Sequence, residues 1–214
     1  MNDVLVKSLQ EMPDIASNIE ISNQIRMHHM LQSLFPNANA KVLFIISELL
    51  QSESVMISTR EIPCDNFDIY HKRMKNVMNK AKKSTCQVLK VGAGIWNQEA
   101  QQFEVIAHNG GLDDQIKCSL EMHELKMGCG HAEPNAFAIA SRLGLRIEGM
   151  SMWVTDSPCY SCAQLNVSGG IKEVWFIRNH MNPLGIYYLL INNVKVYQLL
   201  PMKIREFILV PVSY

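Results

Sequence analysis

Two short runs hold the residue types that could do chemistry: Gly130-His-Ala-Glu-Pro-Asn-Ala136 and Ser157-Pro-Cys-Tyr-Ser-Cys162. Zinc favours four-coordinate sites of imidazole nitrogen and thiolate sulfur, and a catalytic zinc keeps one position open for water. His131, Cys159 and Cys162 supply three such donors and leave the fourth position free. Two residues between the cysteines let both thiolates face one ion from the first turn of a helix. The positive end of that helix favours thiolate over thiol. Glu133, two residues past the histidine, is not needed as a ligand and is suited to taking up and handing on protons. A structural zinc has no use for such a carboxylate. A lone C-x-x-C is a weak signal, since redox, structural-metal and chance origins are common, and a lone H-x-E is weaker. Together, in this order and with Pro158 before the first cysteine, they point to a catalytic Zn2+ site.

The elements that must position these residues read as an alternation of strands and helices. Pro134 suits the first turn of a helix over Pro134–Leu143. Ser157 reads as the N-cap, and Pro158 as the first residue, of a second helix to Val167. Around them, Asp68–Lys83 reads as a basic amphipathic helix, and Val88–Trp96 and Gln102–His108 as a hairpin. Met150–Thr155 and Ile171–Ile177 read as strands, Pro183–Asn192 as a helix, Val194–Leu199 as a strand and Glu206–Val212 as an edge strand. This order predicts a three-layer α/β/α sandwich with a partly parallel sheet. Upstream, Val4–Met12, Asn23–Phe35 and Ala40–Gln51 carry helix-like apolar spacing, punctuated by Pro13 and Pro36-Asn37. The nearly continuous apolar run Lys41–Leu50 is expected to be buried. Ser52–Asp68, polar and holding Pro63, reads as a linker. The division expected is a helical N-terminal extension, 1–65, and a catalytic domain, 66–214.

Composition narrows the partners. Hydrophobic residues at 48% and charged residues at 19% describe a globular chain, not a disordered one. Lys plus Arg and Asp plus Glu both number 20, so the net charge is zero. A protein that grips long nucleic acid carries a basic excess, so a small-molecule substrate is expected and nucleic acid is not. No apolar run reaches the roughly 20 residues that span a bilayer, and the N-terminus lacks the apolar core of a signal peptide. A soluble, cytoplasmic protein is therefore expected. In that setting the six cysteines read as metal ligands or buried thiols, not as disulfides. Cys64 and Cys86 are ordinary buried thiols on this reading. Cys118, His123 and Cys129 could form a second zinc site, but their spacing is loose and no fourth ligand accompanies them. The run Lys72, Arg73, Lys75, Lys80, Lys82, Lys83 reads as a solvated helix face.

The order H-x-E…P-C-x-x-C is the known signature of zinc deaminases. At these residues the chain resembles the cytidine deaminase superfamily, and its deoxycytidylate (dCMP) deaminase branch most closely. Ala81–Cys86 followed by Val91–Ile95 looks like the family's first helix and strand. Ala107-His-Asn-Gly110 resembles its G-Y-N-G turn, with His108 in place of tyrosine. Leu145–Thr155 resembles the strand leading to the cysteines, and Gly169–Trp175, Gly185-Ile and Val194-Lys-Val the closing strand, helix and strand. The likeness covers residues 68 to 200, and Asn135 in H-A-E-x-N-A is similar to the dCMP branch.

The resemblance implies a cytidine deaminase-like fold, Zn2+, a homo-oligomer, and hydrolytic deamination of a cytosine nucleotide, dCMP to dUMP plus ammonia. Another nucleoside, a free base, a base within nucleic acid, or a catalytically silent binding module are the alternatives. It implies that Asn109 bonds the sugar and Asn135 contacts the sugar-phosphate end. Ala132, Ser157 and Tyr160 join the substrate-binding set, Ser157 through its carbonyl to the exocyclic amine. Each has a plain structural alternative: a left-handed turn residue for Asn109, a local first-turn bond for Asn135, helix packing for Tyr160 and helix capping for Ser157. The turn Gly111-Leu-Asp-Asp114 departs from the family, and its two aspartates would repel a 5′-phosphate.

Overall fold

The computed structural model describes residues 27–52, 55–62, 67–110, 130–180 and 182–211. Its helices are α1 (residues 27–34), α2 (Ala40–Ser52), α3 (Phe67–Ala81), α4 (Ala132–Arg142), α5 (Tyr160–Ser168) and α6 (Leu184–Ile191). Its strands are β1 (Val55–Ile62), β2 (Gly92–Asn97), β3 (Gln102–His108), β4 (Ser151–Val154), β5 (Glu173–Phe176), β6 (Lys195–Leu200) and β7 (Lys203–Pro211). They form one seven-stranded sheet in the order β1-β7-β6-β5-β4-β2-β3. The central strands β4, β5 and β6 run parallel because α5 and α6 carry the chain back between them. The β2–β3 hairpin and the β6–β7–β1 side are antiparallel. Thus the expected mixed sheet between helical layers is present.

Strand periodicity sorts the side chains into two cores. Met152 and Val154 of β4, Val174 and Phe176 of β5 and Val196 of β6 face α2, α4, α5 and α6. Trp153, Trp175 and Tyr197 alternate with them and face the side on which α3 packs with Met74 and Val77. The register sets Trp153 beside Trp175 and Trp175 beside Tyr197, with ring centroids 4.9 and 4.2 Å apart.

Several expectations change. Residues 55–62, expected within a linker, are β1, paired along its whole length with β7. An edge strand has only one neighbour and half-exposed residues, so its polar composition hid the alternation that buries Ile57 and packs Ile62 on the opposite core. β7 begins at Lys203 and is not an edge, because β1 covers it. β2 begins at Gly92, leaving residues 86–91 as loop. α2 buries Leu43, Ile46 and Leu50 but exposes Phe44, Ile45 and Leu49, so its apolar run is only half buried. Among the described residues no helix is long and apolar enough to cross a membrane. Val4–Met12, Cys64, the Gly111–Asp114 turn and Cys118, His123 and Cys129 lie outside the described residues.

Candidate active site

The ends of two helices converge at the carboxyl side of the sheet. His131 is the N-cap of α4 and Cys159 the N-cap of α5; both have extended backbone and neither caps its helix with its side chain. The N-cap position, which usually returns an oxygen to its own helix, is here given to a metal donor turned toward the other helix. Cys162 follows one turn into α5 and is buried. Ser157 is therefore not the cap that the sequence suggested. Its hydroxyl accepts the His180 N–H at 2.8 Å, and its own N–H donates to the Arg178 carbonyl at 2.8 Å. The chain is still extended at Cys159, and the helix begins at Tyr160.

His131 Nδ1 lies 3.5 Å from Cys159 Sγ and 3.4 Å from Cys162 Sγ, and the three donor atoms all fall within 4.8 Å of one another. Zn–S bonds of about 2.3 Å and Zn–N bonds of about 2.0 Å at the tetrahedral angle place nitrogen and sulfur roughly 3.6 Å apart. The spacing and the donor set both fit zinc. Among the described residues no other His, Cys, Asp or Glu group gathers this way. The hydrogen bond from Cys162, with a further one from His131, holds the Cys159 thiol well below its ordinary value, and the same Cys159 contact together with burial pushes Cys162 up. The hydrogen bond with Cys159 raises His131.

Glu133, in the first turn of α4, is buried. Burial pushes its carboxyl up to about 7, against the opposing pull of its own backbone N–H and of His131. A carboxyl group with both forms accessible near neutral pH, beside the ligand set, can take and return a proton.

His131, Glu133 and Cys159 line a cleft of about 250 Å³ whose walls also include Cys86, Val88, Leu89, Asn109, Ala132, Asp156, Ser157 and His180. Of the expected substrate residues, Asn109, Ala132 and Ser157 are on the cleft. Asn109 also holds its wall in shape: Oδ1 accepts the Val91 N–H at 2.8 Å and Nδ2 donates to the Leu89 carbonyl at 2.7 Å. The left-handed residue of this turn is Gly110, φ +114°, and not Asn109. Asn135 and Tyr160 are not among the lining residues. Asn135 Nδ2 donates to the carbonyls of His108 and Gly110 at 2.8 and 3.0 Å, tying α4 to the end of β3. Tyr160 is 40% exposed and meets the Tyr188 ring edge-on at 5.1 Å.

Sequence reasoning missed Asp156, Arg178 and His180. Arg178 donates through Nε and Nη2 to the two carboxylate oxygens of Asp156, at 2.9 and 2.7 Å, joining the segment after β5 to the segment after β4. The available signal was positional, since residues following neighbouring parallel strands end up side by side.

The sequence profile described as "Cytidine and deoxycytidylate deaminase zinc-binding region" matches residues 68–178, just over half of the chain. The chain belongs to that family. By donor type and spacing, His131, Cys159 and Cys162 form a group that could hold the zinc for which that family region is named. Human deoxycytidylate deaminase is 34% identical over 105 residues, which is 45% of this chain and 57% of that protein. ComE operon protein 2 of Bacillus subtilis (strain 168) is 30% identical over 106 residues, 47% of this chain and 54% of that protein. The matches thus span about half the length of these relatives. Among solved structures, the dCMP deaminase of cyanophage S-TIM5 in complex with dCMP and dUMP superposes with a TM-score of 0.56 at 26% identity. It covers 61% of this chain and 96% of that one. A diaminohydroxyphosphoribosylaminopyrimidine deaminase/reductase from Thermotoga maritima shares the fold, with a TM-score of 0.51 at 21% identity over 64% of this chain and 38% of that one.

Proposed function

We propose that this chain hydrolyses a cytosine nucleotide, converting dCMP and water to dUMP and ammonia. The observation that carries the reading is the buried Glu133 carboxyl lining the same cleft as His131 and Cys159, which gather with Cys162 as a donor group. The relatives that are dCMP deaminases, and the cyanophage enzyme holding dCMP and dUMP, support the choice of substrate. Zinc, when bound, lowers the pKa of a coordinated water toward about 7 and so supplies a nucleophile at neutral pH. The chain's own residues do the rest. Glu133 takes a proton from the water that adds to C4 and delivers it to N3. It then carries a second proton to the departing amino nitrogen, so that oxygen replaces nitrogen at C4 and the carboxylate is regenerated. Ala132 and the segment 88–91, held by Asn109, wall the ring and exclude bulk water. Asn135 acts from behind, fixing the β3 end against α4. We also read the chain as a homo-oligomer; the exposed Phe44, Ile45 and Leu49 of α2 support this, and sedimentation velocity tests it.

The test is ammonia release from cytosine, deoxycytidine, dCMP and other amino-heterocycles, with Glu133→Gln beside the parent. Loss of a positioned acid-base group lowers kcat by about 10²–10⁴-fold, while the zinc content stays the same. Release from another heterocycle and from no cytosine compound overturns the substrate assignment.

A further inference from the structure

We propose that His180 determines specificity by donating from Nε2–H to the 5′-phosphate of the substrate, an assignment that rests on the nucleotide reading above. His180 lies on the cleft wall in the segment between β5 and α6. The chain itself orients the ring. The Asn182 N–H donates to His180 Nδ1 at 3.1 Å, and Asn182 Oδ1 accepts the Leu184 N–H at 3.0 Å, which fixes Asn182 at the start of α6. A ring nitrogen that accepts a hydrogen bond carries no proton, so the neutral imidazole holds its proton on Nε2. No group of the described residues accepts that proton.

The segment is clamped as well as oriented. Ser157 Oγ accepts the His180 N–H, the Arg178 carbonyl accepts the Ser157 N–H, and Arg178 brackets Asp156. A donor fixed in this way loses little freedom when a ligand arrives. Other polar groups of the wall are committed to the chain, Asn109 to residues 89 and 91 and Asp156 to Arg178. The exposed Lys90 stands between the wall residues Leu89 and Val91, and Arg178 Nη2 reaches its carbonyl at 3.4 Å. With Asp156 neutralised by Arg178, the field at this wall draws in an anionic group. The phosphate needs a donor of fixed direction there, and His180 supplies it.

The experiment uses the zinc-loaded full chain. Gln can set an amide N–H₂ near the place of Nε2, whereas Asn falls short of it. The ratio of kcat/KM for dCMP to that for deoxycytidine is expected to fall about 10–100-fold in His180→Asn, the range of a hydrogen bond to a charged group. His180→Gln restores part of it. In the parent protein, inorganic phosphate is expected to shift the 15N signal of His180 Nε2, assigned by its loss in His180→Gln. An unchanged substrate ratio in His180→Asn, or a His180 signal that phosphate leaves unmoved, overturns the assignment. If the parent deaminates no cytosine compound yet phosphate still moves this signal, the substrate reading fails and the phosphate site stands. The spectrum of the parent decides the matter even if a variant fails to fold.

Discussion

Alternate residues of the same strands build two unlike faces. Toward α4, α5 and α6 the sheet sets the small Ala93 and Ala107 beside Met152, Val154, Val174 and Phe176, and the helices answer with Ala132, Ala136, Ala140 and Ala163, all buried. Toward α3 it presents Trp96, Trp153, Trp175 and Tyr197. Small side chains let helix backbones come close, which sets the starts of α4 and α5 within ligand distance of each other. The large rings bury area and hold no chemistry. The comparison teaches that the site's position is set on one face, while the other contributes packing without chemistry.

The largest effect is expected from Trp153→Ala. Trp153 is fully buried, stacks on Trp175 at 4.9 Å and lies 5.8 Å from the Arg73 guanidinium. Its loss should reduce the stability of the fold by about 3–5 kcal/mol, read by urea denaturation. The folded protein should still bind zinc with the parent's affinity. A large change in zinc affinity would show that the two faces are not separable.

Next is a pH effect on the opposite face, in metal-free protein. Burial raises the Glu133 carboxyl from 4.5 to about 7, so the fold holds this proton more tightly than the unfolded chain does. Its contribution is therefore whole below about pH 4.5 and declines as pH rises toward 7. At pH 8 the loss amounts to about 3 kcal/mol, at 1.36 kcal/mol for each pH unit. Glu133→Gln should be the more stable protein by that amount at pH 8 in chelator, and equal to the parent at pH 4. Equal stability at both would mean that the carboxyl is solvated. The gain in stability accompanies a loss of activity, as expected where a site is kept at the expense of the fold.

Gly185→Ala follows. A Cβ there would lie 1.9 Å from the Pro158 carbonyl oxygen and 3.0 Å from the Cys159 carbonyl carbon, both backbone. Either α6 or the cysteine segment must retreat. Zinc affinity should fall by about 10–100-fold, as when the support of a metal ligand is disturbed, measured by competition with a chromophoric chelator. One added methyl on the site face would thus disturb the metal more than loss of an indole on the other.

How far the site could be read from the chain follows from what each residue depends on. His131, Glu133, Cys159 and Cys162 were legible because local spacing alone places them at the first turns of two helices. The parallel strands and the β2–β3 hairpin were legible from periodicity. β1 was not, since its alternation is shared with a strand about 150 residues away in the sequence and only pairing with β7 reveals it. Nor were the parts of Asn135 and Ser157. An amide or hydroxyl can bond a ligand or its own chain, and the choice depends on which carbonyls and N–H groups the fold brings alongside. Asp156, Arg178 and His180 belong to no local motif, and come together only because β4 and β5 are neighbours.

Ser157 gives the smallest effect and separates the two readings of one residue. As a cap it would bond the first turn of α5, and Ser157→Ala would fray that helix. In the structure its hydroxyl accepts instead from His180, across the gap between neighbouring segments. Loss of that bond should reduce stability by about 1 kcal/mol, and its location can be read by hydrogen exchange. The His180 amide should exchange faster, whereas Ala163, which donates to the Cys159 carbonyl at 2.9 Å within α5, should keep its protection. Faster exchange at Ala163 with His180 unchanged would return Ser157 to the role of helix cap. Faster exchange at His180 alone means that the cysteine segment and the segment after β5 are held together by single, separable bonds, so that the site face depends on bond placement where the aromatic face depends on bulk.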